Sequence, residues 1–194
     1  ADNRPPTFLR SENLEGSFMS IKKVGCTLKG LSPLLMHAYP LVPIEAIDKK
    51  APGEQAESGA YRDPDTGDLY IPGVAIQRAL VNGATYCKGK GRATLQKPVA
   101  ACVLVTPERC SLGVKTYKVD SRGVVIPATR GRIVRHRPRL DDWGVSFDIE
   151  FDDTLLTEAE MRRVVDETIS RVGFLDFRPE KKGPFGRSMV VKWE

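Results

Sequence analysis

Two kinds of residue in this chain have the chemistry to act on a ligand. The first is histidine, of which there are two: His37 in "LLMHAY" and His136 inside "RGRIVRHRPRL". An imidazole beside arginines can deprotonate a ribose 2′-hydroxyl, the opening step of metal-independent RNA cleavage. The second is arginine. Residues 130–140 hold Arg130, Arg132, Arg135, Arg137 and Arg139, with no acid among them. In an extended segment alternate residues share a face. Arg135, Arg137 and Arg139 therefore point one way, as do Arg130 and Arg132 before them, and His136 faces away from its two arginine neighbours. Same-face side chains recur every ~6.6 Å, close to the phosphate spacing of an extended single strand. Guanidinium forks match phosphate oxygens better than ammonium groups do. The run thus reads as a track for a nucleic-acid backbone that leaves the bases unread. A histidine without a base or acid partner is weak evidence of catalysis, so His37 and His136 carry the second reading, an endoribonuclease.

Charge distribution supports the track. Of the 194 residues, the first 87 hold 9 Lys+Arg and 10 Asp+Glu, and residues 140–194 hold 8 and 13. Residues 88–139 hold 13 against 2, so the whole positive excess of a +5 chain lies in one quarter of it. A single-sign concentration attracts polyanions. Lys88, Lys90, Arg92 and Lys97 fall in "CKGKGRATLQKP", a glycine-containing segment expected to be a flexible loop that closes over the bound strand. No Phe/Tyr alternation of the kind that stacks bases on a sheet appears. Phe185, Tyr117 and Tyr86 remain as isolated stacking candidates.

Other chemistries find no support. The chain lacks G-x-S-x-G, the P-loop and G-x-G-x-x-G. Its four cysteines form no C-x-x-C pair, which argues against a structural zinc and for reduced thiols in a cytoplasmic protein. Asp152-Asp153 precedes a helix, where acids complement the dipole. No apolar run approaches the ~20 residues of a membrane span, and the polar N-terminus shows no secretory signal. Neither cofactor nor metal is expected.

The elements that must position these residues can be read in outline. Residues 1–18 have the composition of a polar tail, and 19–194 read as one domain. "FMSIKKVGCTLKGL" is a strand centred on Ile21 to Leu28. Residues 41–66 lack strong periodicity and read as a long insertion. "YRDPDTGDLYIPG" is a hairpin, "VAIQRALVNGATYC" a helix, "VAACVLVTPE" a buried strand, and "GVKTYKVDSRGVVIPA" a hairpin turning at Asp120–Gly123. "WGVSFDIEF" alternates as a half-buried strand. "TEAEMRRVVDETISRVG" is a helix with a capping box from Thr157 to Glu160 and Gly173 beyond its end. A last strand spans Ser188 to Trp193. The order predicts an α+β sandwich of ferredoxin or RRM kind, an antiparallel sheet with helices on one face and long insertions.

Three of these segments carry a resemblance. "LKGLSPLLMHAYP", "LYIPGVAIQRALVNGA" and "GFLDFRPEKKGPFGRSMVVKWE" together resemble the repeat-associated mysterious protein (RAMP) superfamily, and more narrowly small phage and prophage proteins with the same motif order. The likeness covers most of residues 20–194. It implies a modified ferredoxin/RRM-like fold and RNA binding. The best-known members form the guide-RNA backbone of CRISPR effectors, as filaments of one repeated subunit. By position, the helix start (Gly73, Gln77, Arg78) and the glycine-containing loop (Lys181, Lys182, Gly183, Gly186, Arg187) would lie near nucleic acid. Residues 41–66 would match a thumb-like insertion contacting the next subunit. The expectation is a non-enzymatic, sequence-tolerant binder of single-stranded DNA or RNA, phage-encoded, cytoplasmic in a bacterial host, and oligomerising along the strand. The alternatives are a metal-independent endoribonuclease of the same superfamily, or a virion or assembly protein whose basic face meets an acidic partner.

Overall fold

The computed structural model describes residues 20–39, 50–125 and 129–194. The polar tail, part of the 41–66 insertion and the segment 126–128 therefore lie outside the described residues.

Hydrophobic alternation builds the central sheet. In β1 (Ile21–Gly30) Val24, Cys26 and Leu28 are buried, and in β8 (Gly144–Asp152) Val145, Phe147, Ile149 and Phe151 are. The two strands pair antiparallel, with Val24 opposite Ile149 and Cys26 opposite Phe147, so both apolar sets share one face. With β4 (Leu104–Thr106) and β9 (Ser188–Trp193) they form a sheet of order β4-β8-β1-β9. Helix α2 (Gly73–Gly83) precedes β4, and α4 (Glu158–Glu167) links β8 to β9. This is the β-α-β-β-α-β order of a ferredoxin-like fold, with the first and third sheet strands at the centre. Ile76, Ala79 and Leu80 of α2 join Met161, Val164 and Val165 of α4 over the apolar sheet face. The expected α+β class is the observed one.

Two local features were written into the sequence. Thr157 caps α4 as a capping box: its side chain accepts from the Glu160 amide, and the Glu160 carboxylate accepts from the Thr157 amide at 3.0 Å. Gly173, at φ 71°, ends the π-helical turn Thr168–Val172 that follows.

Elsewhere tertiary structure overrides local pattern. The segment expected as a strand at 99–108 opens instead as helix α3 (Gln96–Cys102) and becomes extended only at β4. Leu95, Val99 and Val103 are its buried positions, a spacing of four, and Ala100 and Ala101 between them are exposed. Pro98 lies in the first turn, where a missing N–H costs no hydrogen bond. The expected hairpin turn at Asp120–Gly123 is absent: β6 (Lys118–Val125) runs straight through it, with Arg122 opposite Arg135 and Gly123 opposite Val134 of β7 (Arg132–Leu140). The 41–66 insertion includes helix α1 (Pro52–Ser58). Arg62 donates to both Glu57 carboxylate oxygens at 2.6 and 3.0 Å, and the Tyr117 hydroxyl donates to Glu57 Oε2 at 2.6 Å, which pins α1 beside β6. The 62–69 hairpin does form, and its returning strand β3 (Tyr70–Pro72) pairs with β5 (Arg109–Ser111).

Strands β6 and β7, which fall between β4 and β8 in the chain, join β2 (Leu34–Leu35), which follows β1, in a second sheet of order β2-β7-β6. The arginine run is thus the middle strand of a separate sheet. Replacing Thr157 with alanine removes the side-chain half of the capping box, leaves the backbone N–H to Glu160 in place, and is expected to cost about 1 kcal/mol, read from the urea midpoint with the denaturant slope unchanged.

Candidate nucleic-acid interface

Cross-strand pairing sets the faces of the second sheet. Arg135, Arg137 and Arg139 stand opposite Arg122, Asp120 and Lys118, and all six share one face. His136 stands opposite Ser121 on the other face, and its Nδ1 lies 2.7 Å from the Ser121 hydroxyl. The alternation expected from sequence is therefore present, and His136 is turned away from the arginines.

The track, however, is largely engaged. Residues 173–187, the glycine-containing loop, fold back over this face. Arg137 Nε meets Asp176 Oδ2 at 3.0 Å with its side chain 13% exposed. Arg139 donates from Nε to Asp141 at 2.7 Å and reaches Asp120 at 3.5 Å. Arg122 grips Asp120 at 2.5 Å and holds that carboxyl below the usual carboxylate range. Phe185 is 3% exposed, with the Arg122 guanidinium 4.7 Å and the Arg139 guanidinium 5.7 Å from its ring centre. Arg135 is half-buried and also has an interaction partner. Asp141 and Asp176 lie outside the 88–139 segment, so the net charge of that segment does not include them. Arg137 and Arg139 are thereby held in the packing under the loop.

The loop is built under conformational constraint. Leu175, Phe177 and Lys182 adopt positive φ of 58°, 48° and 61°. Such residues cluster where surrounding structure over-determines the backbone, commonly at ligand sites. A Cβ on Gly183 would run into the Phe177 carbonyl, and one on Gly186, at φ 71°, into that of Phe174. The Asp176 amide donates to Leu35 O and the Gly186 amide to Pro33 O, fastening the loop along β2.

Where the loop meets the start of α2 there is a cavity of about 420 Å³. His37 and Tyr61 line one side, Val74, Ala75 and Arg78 of α2 another, and Leu175, Asp176 and Arg178 of the loop a third. Arg178 is fixed to Glu180 Oε2 at 3.0 and 2.5 Å, and Glu180 Oε1 accepts from Asn82 of α2 at 2.8 Å, so one carboxylate ties loop to helix. Arg78 has no ion pair or hydrogen-bonding side-chain partner among the described residues. Sequence reasoning placed Arg78 here through the resemblance; it missed Arg178, Asp176 and Tyr61. The signal was present in "LDFRPEKKG", whose Arg-Pro-Glu was passed over beside its lysines.

His37 lies just past β2, one residue beyond the Met36 amide that donates to the Pro138 carbonyl of β7. Arg137 Nε–H can only donate, and it lies 3.3 Å from His37 Nδ1, so that nitrogen is unprotonated and the proton sits on Nε2. The imidazole lines the cavity with its basic lone pair turned to Arg137. Burial first, and then the Arg137 guanidinium, hold it below the ordinary histidine range. The residue keeps one side in water, which softens the burial contribution.

The other predicted residues are placed as follows. Lys181, Lys182 and Arg187 are exposed on the loop, and Arg130 and Arg132 are exposed at the far end of the hairpin. Gln77 is half-buried on α2 outside the cavity lining. Lys88, Lys90, Arg92 and Lys97 are exposed, but their segment packs on the helix layer: the Lys88 carbonyl accepts from Arg163 of α4 at 2.5 Å. Among the described residues no hydrogen bond or ion pair joins that segment to β7. Tyr86 stays 51% exposed on that side, with the Arg171 guanidinium 5.2 Å from its ring centre. The open face of the central sheet pairs its charges internally, Lys23 with Asp148 at 2.9 Å and Glu150 at 3.5 Å. No helix among the described residues is long and apolar enough to cross a membrane.

Because the folded value of His37 lies below its unfolded value of about 6.5, its stability contribution is complete above pH 6.5 and is lost as pH falls through the folded value. Arg137→Ala removes one depressing charge and leaves Asp176 nearby, so the imidazole midpoint moves up. Proton–carbon NMR titration of His37 in both proteins checks this; an unmoved midpoint severs the link between the two residues.

No family model and no curated protein sequence matches the chain. Among solved structures it resembles a chain in a cryo-electron-microscopy structure of the type III-B Cmr-beta complex bound to cognate target RNA. The TM-score is 0.54 at 13% identity, over 90% of this chain and 60% of that one. The protein thus spans about 60% of the neighbour's length, and what the two share is their α+β architecture.

Proposed function

We propose that the protein is a non-catalytic, RAMP-type binder of single-stranded nucleic acid, and that the strand runs over the junction of α2 and the loop at 173–187. The observation that carries this reading is the set of unpaired cations around that junction. Arg78, Lys181 and Lys182 have no ion-pair partner among the described residues; Arg78 lines a nucleotide-sized cavity, and the two lysines are exposed on the backbone-strained loop that forms one of its walls. The likeness in fold to a chain of an RNA-bound complex supports it.

On this reading the arginines of β7 divide by role. Arg137 and Arg139 position the loop. Arg130, Arg132 and Arg135 extend the basic surface along the hairpin, and Arg187 extends it past the loop. Lys88, Lys90, Arg92 and Lys97 form a separate basic area, available to a longer strand or to a neighbouring subunit. Oligomerisation along the strand, with the segment around α1 as a thumb-like contact, belongs to the same proposal, as does a phage origin.

The endoribonuclease alternative needs a base. His37 offers a donor at Nε2 instead, and His136 lies on the opposite sheet face bound to Ser121. Neither has the partner that general base catalysis requires. The cavity is therefore read as a binding site.

The test is a salt titration. Changing Arg78, Lys181 and Lys182 together to alanine is expected to weaken single-strand binding and to flatten the plot of log affinity against log salt by about 2, at ~0.7 per lost phosphate contact. Retention of both affinity and slope would place the strand elsewhere. An equal triple change at Lys88, Lys90 and Arg92 serves as the comparison, and is expected to act less strongly on a short strand.

A further inference from the structure

The cavity contains a group that phosphate binding does not need. Asp176 is a carboxylate set among Arg78, Arg178 and His37. A site for phosphate alone gains nothing from an anion, which repels the ligand. Asp176 Oδ2 is fully buried and meets Arg137 Nε at 3.0 Å without hydrogen-bond alignment, so no hydrogen bond satisfies it. The side chain as a whole is 30% exposed and lines the cavity. An unsatisfied buried acceptor calls for an explanation. Here the carboxylate is held in place by Arg137 and presents an open acceptor to whatever enters.

The rest of the wall suits a planar heterocycle. Pro72, Val74, Ala75 and Leu175 supply apolar surface, and Tyr61, whose ring centre lies 5.9 Å from that of Tyr70, supplies an aromatic side. A volume of about 420 Å³ falls within the ~300–1,000 Å³ of small-ligand sites. The donors in the lining are Arg78, the His37 Nε2–H, and the N–H groups that Arg178 has left after Glu180 and the Leu175 carbonyl.

We infer that this cavity takes one base of the bound strand, turned out of the stack, and that Asp176 selects it for N–H donors, guanine first. Guanine sets two donors, N1–H and N2–H, side by side on one edge, and O6 with N7 as acceptors on the other. It therefore meets the carboxylate and the arginines at once. Adenine and cytosine each offer one amino group. Uracil and thymine flank their single N–H with two carbonyl oxygens, which the carboxylate repels. The site is thus predicted to rank guanine above adenine and cytosine, with uracil and thymine last. This rests on the single-strand reading above and adds a base preference to a backbone-driven interaction.

The experiment uses fluorescence anisotropy with short oligouridine strands carrying one central substitution: guanine, inosine, adenine, cytosine or none. On the unaltered protein, guanine is expected to bind about tenfold tighter than uracil, as one good base contact allows, and inosine, lacking the 2-amino group, falls between. Asp176→Asn is expected to remove most of that spread, with thermal unfolding of the variant as the folding check. Should it fail to fold, the base series on the unaltered protein decides. Equal affinity for all five strands, with strong salt dependence retained, overturns the base pocket and leaves the single-strand reading standing. Absence of binding to any strand at low salt overturns both.

Discussion

The contact between Arg137 and Asp176 joins everything that makes this surface distinctive. Arg137 belongs to the middle strand of the second sheet, and Asp176 to a loop that begins where α4 and its π-helical turn end. Their 3.0 Å contact, with Arg137 13% exposed, holds the loop on the sheet. A half-buried ion pair yields little net stability, because desolvation offsets most of its Coulomb energy. Breaking it by removing one partner leaves a buried charge uncompensated and is far more costly. Its use here is geometric. It fixes which way Asp176 points, ties the His37 lone pair to Arg137, and so settles the donor and acceptor pattern at the cavity edge.

Charge counted along a chain is not charge met in space. The arginine alternation was legible, and β7 realises it, because strand parity is a property of the backbone alone. What those arginines face was not legible, because Asp141, Asp176 and Phe185 reach them only through the fold. The strength of the basic field and its location therefore separate. Residues 88–139 supply the excess, but among the described residues the cations without partners lie partly outside that segment, at Arg78, Lys181 and Lys182.

The same division explains which elements could be read in advance. The α4 capping box, the alternation of β8 and the bounds of β9 depend on interactions within a few residues, and each was visible. α3 was not, since "VAACVLV" is compatible with a buried strand or with a helix that buries every fourth residue. Packing of Leu95, Val99 and Val103 on the core decides it. The false turn at Asp120–Gly123 has a similar cause. Asp, Ser and Gly favour turns locally, whereas Asp120 is 8% exposed and held by Arg122 and Arg139, which keeps the strand straight.

The central sheet explains why the proposed site lies away from the place an RRM-like fold most often uses. Its open face carries no aromatic side chain on β1 or β8; Lys23 pairs its charge with Asp148, and the Thr27 and Ser146 hydroxyls hydrogen-bond each other. Such a face offers neither stacking nor a net field to a polyanion. The glycine-containing loop offers both chemical signs at short range, and its shape depends on Gly183 and Gly186, where any side chain would strike the backbone of Phe177 or Phe174. Backbone contacts alone would need only cations there. On the proposed reading, the acceptor anchored among those cations is what would let the loop recognise a base and not just its phosphate.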